Sequence, residues 1–513
     1  MKKKYILVFL FLINILQAQT LSLDTSFGTG GYHKYQSAEL TSAIMLPDGQ
    51  FITASFSSGS IVVKKISQNG IPDAAFGTKY HNIGSDITLK SEAPKRIILH
   101  NNKIIIVGRV NATPTHSVYE LFISRINLDG TLDTTFGNNG FTTFSVGNNS
   151  KAIDAVVDSN GSTYVQATQN SSNFLVRITA DGALDTTYAN NGILSISPFI
   201  CNKMFRQNDG KILLTGYKIN SASLWESYIE RRLSNGDIDL SFGTNGIIIF
   251  PHTTSTSIKN CHYDYSNNSI TILHQTNDSY TPTRLFLSKI QISDGSLISG
   301  FGSNGITTNY LYTDARDISI AGFAVLPDSK MIVAGNMSDF FGTNGTIVAQ
   351  LFIARFNADG TKDTSFAPYG YKMFPATPPN TSVRADLINN LFITDNGSAV
   401  LAYSGSSATH GSSAYLAKFS GAYFLSLDST ASPLDSHHTL YPNPADQYFS
   451  ITTGKNHVKS FTYTIIDLQG RIIVSGSSGF NQKISLKNIS SGNYLVQINT
   501  EEGSRHCFKL LKR

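Results

Sequence analysis

Cysteine is nearly missing from this chain, with three in 513 residues. Three cannot form the disulfide framework of a small secreted scaffold. Cys507 lies near the end, while Cys201 and Cys261 lie in neighbouring repeat units at similar offsets from their turns. A bond between those two is conceivable, although neighbouring units commonly hold such positions too far apart. Charge is also sparse, with Asp, Glu, Lys and Arg making up 15% of the residues, a profile that argues against a helical or disordered chain. Tryptophan occurs once, at Trp225. No G-x-S-x-G, H-E-x-x-H or phosphate-binding glycine loop is present. The common hydrolase, metalloprotease and nucleotide signatures are therefore excluded.

Apolar runs long enough to cross a bilayer are absent as well. The run Tyr5–Leu16 has twelve residues, follows Lys2, Lys3 and Lys4, and leads into LQAQ with Ala18 at the cleavage position. This pattern predicts a signal peptide over residues 1–18 and no membrane span in the mature chain. No cysteine follows the cleavage point, which argues against a lipid anchor. The formal charge of +5 is unevenly spread. The signal peptide holds three lysines and residues 437–513 hold nine Lys/Arg against four Asp/Glu, which leaves the body between them at −3. Nucleic acid is not an expected partner of such a body.

What the chain does have is glycine (41), phenylalanine (31), tyrosine (23) and one nine-residue phrase used repeatedly. It reads LDTTFGNNG at Leu132–Gly140, with close variants elsewhere. Its aromatic stands at Phe27, Phe76, Phe136, Tyr188, Phe242, Phe301 and Phe366, at intervals of 49 to 65 residues. Such a period, filled with short apolar alternations, predicts four-stranded propeller blades. One unit reads from Phe141 as FTTFSV, KAIDAVVDS, STYVQATQ and NFLVRIT. The pairs Asp48-Gly49, Asn101-Asn102, Asn160-Gly161, Asp209-Gly210, Asn267-Asn268, Asp328-Ser329 and Asn396-Gly397 supply its hairpin turns, since Asn and Gly tolerate positive φ.

Each unit also has an apolar strand ending in a basic residue: Lys65, Arg125, Arg177, Arg232, Lys289, Arg355 and Lys418. An Asp stands three residues before the motif aromatic in six copies, at Asp24, Asp73, Asp133, Asp185, Asp239 and Asp363, with Ile298 in the seventh. A pair repeated in every unit suggests scaffold, because an enzyme needs one copy. The spacing from Asn127 to Asp133 has a faint likeness to a calcium loop but lacks the dense carboxylates that calcium requires, so no metal or cofactor is expected. The first motif has no basic strand before it, and the last basic strand, at 413–420, has no motif after it. This offset predicts a closed ring, with the segment Gly31–Gln36 completing the last blade and FLSLD at 424–428 as its rival. Each motif is expected to bridge one blade to the next.

The phrase LDTSFG-x-x-G at this spacing resembles the delta-60 repeat family of bacterial surface and secreted proteins, over roughly residues 23–424. LISGFG, TYANNG and SFAPYG depart from the pattern. The resemblance implies a propeller and no agreed chemistry. The fold class expected is all-β: a seven-bladed β-propeller over 19–424, a linker over 425–439, and a small C-terminal β-sandwich over 440–513.

That last segment resembles the type A C-terminal sorting domain of the type IX secretion system. The matching residues are Tyr441, Pro442, Asn443 and Pro444, then Asp467, Gly470 and Arg471, then Gly492 and Tyr494, and the terminal run at 509–512. The resemblance implies the type IX machinery as partner, and a secreted or outer-surface location. A carbohydrate-binding sandwich is the other reading of this segment.

No catalytic residue is assigned. His252, His262, Asp264 and His274 cluster in one unit with Cys261, but match no metal or triad spacing. His437-His438 falls in the linker. Trp225 could offer a flat platform to a sugar ring or could simply pack. The expected function is a non-catalytic, monomeric binding or adhesion module with an unknown glycan or protein ligand. The alternative is an extracellular polysaccharide-acting enzyme, which non-repeated acids in the central channel would favour.

Overall fold

Every turn that the sequence marks with Asn or Gly lets the backbone enter the left-handed region. Asn101 and Asn102 have φ of 46° and 58°, Asn268 48°, Ser329 66°, and Gly49, Gly161, Gly210 and Gly397 lie between 78° and 93°. These turns join the first and second strands of successive antiparallel sheets. The computed structural model describes residues 21–513 except 36–38, 58–59, 84–92, 112–117, 171, 197–198, 251–253, 266, 277–283, 312–317, 340–347, 377–383, 395–396, 408–410, 421–437, 454–459, 468–471 and 501–504. The signal-peptide segment, His252, His437, the FLSLD rival and almost all of the expected linker lie outside the described residues.

All regular structure among the described residues is β. Sheet 1 runs from Glu39–Met45 to Thr78–His81, sheet 2 from Ala93–His100 to Phe141–Phe144, and sheet 3 from Lys151–Val157 to Ile193–Ile196. Sheet 4 runs from Ile200–Arg206 to Ile247–Ile249, sheet 5 from Thr256–Asp264 to Ile306–Tyr310, and sheet 6 from Ile318–Val325 to Tyr371–Phe374. These six have four strands each, in sequential order. Sheet 7 takes Arg384–Ile393, Ala399–Ser407 and Gly411–Ser420, and completes itself with Ser22–Leu23 and Tyr32–Tyr35 from the N-terminal end.

The register of that closure is Tyr32 opposite Ala417, His33 opposite Leu416, Lys34 opposite Tyr415 and Tyr35 opposite Ala414. The segment expected to complete the last unit does so. The phase of the units differs from the reading above. Phe141–Phe144 is the fourth strand of sheet 2, paired with Tyr119–Asn127, and is not the first strand of the following unit. The nine-residue motif therefore joins third and fourth strands within a sheet and does not carry the chain from one sheet to the next.

Consecutive sheets pack face to face. Seven clusters of buried apolar side chains fill the spaces between neighbours, from sheets 1 and 2 through to sheets 6 and 7. The seventh joins Val400, Ala402, Ala414 and Leu416 of sheet 7 to Leu40, Ala43 and Phe51 of sheet 1, so the order of packing is cyclic. The first strands of the sheets touch in the same cyclic order. Near the C-terminus, a three-stranded and a four-stranded sheet share a separate core that includes Phe449, Ile451, Phe461, Ile465, Val496 and Ile498. Its first strand, His438–Tyr441, starts two residues before the expected boundary at 440.

Candidate functional site

The seven motif aromatics are all buried, none more than 7% exposed. Phe136 sits in the core between sheets 2 and 3 with Ile123, Phe144, Ala155 and Val176. What it meets explains the glycine of the neighbouring unit: at Gly182, with φ of 93°, an added Cβ would stand 3.0 Å from the Phe136 ring. The same contact recurs from Phe27 to Gly70 and from Phe242 to Gly295. Gly137 N–H also donates to Asp181 C=O at 2.7 Å. The motif thus links neighbouring units through packing and hydrogen bonds, not through chain connection.

The recurring Asp and basic residue are joined. Arg125 to Asp133, Arg231 to Asp239 and Arg355 to Asp363 are each 2.8 Å apart, Arg177 to Asp185 is 3.2 Å, Lys418 to Asp24 3.3 Å and Lys65 to Asp73 3.8 Å. In sheet 4 the partner is Arg231, not the Arg232 of the sequence reading. Arg232 points to the opposite face and binds the buried Glu230. Five of the six aspartates also accept from a hydroxyl two residues on, such as Thr135 Oγ1 to Asp133 at 2.7 Å, while Asp73 accepts from the Ala75 backbone N–H. Each arginine lies over its motif ring, Arg231 at 4.2 Å from the Phe242 centroid. A second cation completes three of the sites, with Lys103, Lys211 and Lys330 each 3.1 Å from the aspartate. Burial alone would raise the pKa of Asp239 and Asp363, but hydrogen bonds from Ser241 and Ser365 and the adjacent cations outweigh it and bring both to about 2. Asp133 is driven lower still by the same contacts. With Arg125 and Lys103 occupying its carboxylate, the loop resembling a calcium site is filled by protein cations.

The other predicted residues do not converge. Cys261 faces the core between sheets 4 and 5, and Cys201 the core between sheets 3 and 4, and both are free. His274 is fully buried, 2.7 Å from Ser288 Oγ and edge-on to Phe250. His262 lies one residue from Cys261 and so on the opposite face of its strand. Asp264 accepts from Asn267 at the turn. Among the described residues no group of three His, Cys, Asp or Glu is placed to hold a metal. Trp225 is half-buried and stacks on Tyr217, with centroids 4.1 Å apart and planes at 13°.

Sequence reasoning missed the inner strands. The first strand of every sheet carries a β-bulge at one equivalent point, where an extra residue re-aims the side chains. The residue just past the bulge is Ser42, Arg96, Asp154, Lys203, Asn260, Gly322 and Asn390 in sheets 1 to 7. The bulge frees a backbone donor, and the preceding sheet satisfies it in two places: Met204 N–H donates to Asp154 Oδ2 at 2.9 Å, and Ala43 N–H to Asn390 Oδ1 at 2.9 Å. Arg96 approaches the other oxygen of Asp154 at 3.3 Å, so this carboxylate ties three sheets. Lys95 and Lys203 stand near this pair, and the strand of Lys203 is joined to that of Lys259, one sheet on, by Asn202 Nδ2 donating to Ile258 C=O at 3.0 Å. Burial lowers the pKa of Lys203, Asp154 opposes the drop, and Arg96 and Lys95 add to it. Burial also lowers that of Lys259. The available signal was positional: these residues sit at a near-constant distance upstream of each hairpin turn, yet differ from unit to unit.

In the C-terminal sheets the sorting-motif residues come together in part. Asn443 Oδ1 accepts from Leu511 N–H at 2.9 Å, and Ala445 exchanges backbone bonds with Leu511 and Arg513. Gly492 lies opposite Lys512, and Tyr494 lies opposite Leu510 and also pairs with Asp467. Tyr441 is 71% exposed, and the Tyr494 hydroxyl donates to Ser490 C=O. Gly470 and Arg471 fall outside the described residues.

Residues 439–512 match the family model described as a secretion system C-terminal sorting domain. Residues 100–136, 161–188 and 326–366 match a domain of unknown function (DUF5122) described as a beta-propeller. Both resemblances read from the motifs are thereby borne out: a delta-60-like repeat propeller with a type IX sorting tail. The tail points to a secreted or cell-surface protein. No curated protein matches the sequence. Solved structures of similar shape include an ulvan lyase from a new family of polysaccharide lyases, at 12% identity, TM-score 0.35, covering 61% of this chain and 79% of that one. Prolyl oligopeptidase B from Galerina marginata is similar at 11% identity and TM-score 0.41, over 90% of this chain and 55% of that one. Drosophila Semaphorin 1a is similar at 9% identity and TM-score 0.38, over 75% and 87%. No helix among the described residues is long and apolar enough to cross a membrane.

Proposed function

We propose that this protein is a seven-bladed β-propeller, residues 19–424, that acts as a non-catalytic binding module outside the cell. A signal peptide over 1–18 starts its export, and a β-sandwich following a linker addresses it to the type IX machinery. The observation that carries the binding reading is the chemistry of the inner strands. An enzyme acting on polysaccharide needs at least one carboxylate, histidine or tyrosine free to move a proton in reach of substrate. At the position past each bulge the only carboxylate is Asp154, and it is already held by Arg96 and Met204 N–H. The other non-repeated acid of the sheets with a full set of partners, Glu230, is wholly buried beneath Tyr228 and Arg232. The remaining positions past the bulges are Arg96, Lys203, Asn260, Asn390, Ser42 and Gly322, so cations and amides lead there, as suits recognition. The test is a glycan array and a surface pull-down with the secreted chain, run beside an assay for polysaccharide cleavage. Binding without turnover is expected; turnover lost on replacing an inner-strand residue would overturn the reading.

A further inference from the structure

We propose that the inner rim of sheets 2 to 5, with the Tyr217–Trp225 stack beside it, binds an anionic saccharide through its carboxylate or sulfate groups. This deepens the binding reading above and rests on it. Four cations, Lys95, Arg96, Lys203 and Lys259, come from the first strands of sheets 2, 4 and 5; Arg96 pairs with Asp154 and Lys203 feels the charge of the same carboxylate. Among the described residues neither Lys203 nor Lys259 has an ion-pair partner. Both side chains are crowded by protein, which is what lowers their pKa, yet both residues are only partly buried. Cations that outnumber the carboxylate beside them favour an arriving anion.

Scaffold duty does not explain these residues. The repeated ion pairs use Arg125, Arg177, Arg231 and their equivalents on the third strands. The position past the bulge is Ser42, Asn260, Gly322 or Asn390 in other sheets, so the fold does not require a cation there. Nor does overall charge explain them, since the body between signal peptide and tail carries a net −3. The positive patch is local.

The saccharide assignment comes from what stands next to it. Lys203 lies opposite Thr215, and Ile200 opposite Tyr217. Tyr217 is thus two residues further along the same sheet, about 7 Å toward the rim. Trp225 stacks on it, and its backbone N–H donates to the Oγ of Ser255, the residue just before the strand that carries Lys259. Ile200 and Ile219, 45% and 52% exposed, flank the pair. A flat aromatic face, with cations one step along the same sheet, matches a sugar ring bearing an acidic group.

The experiment is calorimetric titration of the full secreted chain with polygalacturonate, dextran sulfate and neutral dextran. The two anionic polymers should bind, more weakly as salt rises, and dextran should not. Preference between them tells whether carboxylate or sulfate is read. The Lys203→Gln/Lys259→Gln double variant should weaken binding about tenfold or more, the loss of a charge-assisted hydrogen bond, and the matching Lys→Arg pair should restore it. Trp225→Ala should weaken binding while leaving the salt dependence as it was. Absence of binding to either anionic polymer overturns the site, as does equal binding of dextran. A folded Gln double variant with wild-type affinity does the same, and so, independently, does a Trp225→Ala variant with unchanged affinity. If the protein instead binds a neutral glycan or a protein and the variants leave that binding intact, the binding module stands and this site falls. If it cleaves polygalacturonate through these residues, the site stands and the non-catalytic reading falls.

Discussion

Asp24 and Lys418, from opposite ends of the seven-sheet sequence, form an ion pair of 3.3 Å. It is the same pair that Arg125 and Asp133 make within a single turn. Lys418 also lies over the Phe27 ring, and Asp24 N–H donates to Lys418 C=O at 2.8 Å. The site of sheet 7 is thus assembled across the closure. Reversing the pair tests it. Asp24→Lys or Lys418→Asp alone should lower stability by about 1 kcal/mol, the scale of a partly exposed pair. The double reversal should recover part of that loss in thermal unfolding; strictly additive losses would mean that the pair contributes nothing.

Phe136→Ala should cost about 3–5 kcal/mol, because the ring is 1% exposed and its removal leaves a cavity between two sheets. Calorimetry should show the main transition moving down as one step. A separate, low-temperature transition would show instead that the sheets unfold independently.

Acid should erode the scaffold in a defined window. Asp239 and Asp363 have folded-state pKa values of about 2, below the usual 3.8. A depressed carboxylate pKa contributes stability that is complete above the unfolded value and lost as pH falls through the folded one. Midpoints of denaturant unfolding should therefore hold steady down to pH about 4 and fall between about 4 and 2. Asp363→Asn should start lower and lose less across the same window. A variant as acid-sensitive as the parent would remove this site from the account.

Deletion of residues 438–513 should leave a folded protein retained in the periplasm, and fusion of the same residues to a reporter with its own signal peptide should carry that reporter to the surface or the medium. The cut is placed at 438 because the strand His438–Tyr441 starts there. Fractionation and immunoblotting in a host with a type IX system decide the matter. Export of the deleted protein would end the address reading.

Much of the architecture was legible because the turns announce themselves: Asn160-Gly161 and Asp209-Gly210 can hardly be anything but hairpins between strands. The closing strand Tyr32–Tyr35 was legible from counting alone. The phase was not. LDTTFGNNG looks like a connector, and only pairing of Phe141–Phe144 with the strand before it shows that the motif stays inside one sheet. Arg231 and Arg232 are adjacent, so local sequence could not say which faces Asp239; alternation along the strand decides it. The inner cations were hidden for a different reason. A repeat draws attention to what recurs, whereas Arg96, Asp154 and Lys203 matter at a position where nothing recurs.

The pairing of Tyr32 with Ala417 also sets an order of events. During synthesis the N-terminal strand emerges long before its partner, the strand Gly411–Ser420, exists. Its backbone groups must wait, solvated, until nearly four hundred further residues have appeared. Closure of the circle is therefore the longest-range strand pairing among the described residues, and contacts of that span are slow to form. Until it forms, sheet 7 lacks its outer strands and sheet 1 lacks the completed neighbour that it packs against. A chain in this state presents open β-edges, which closure of the circle removes.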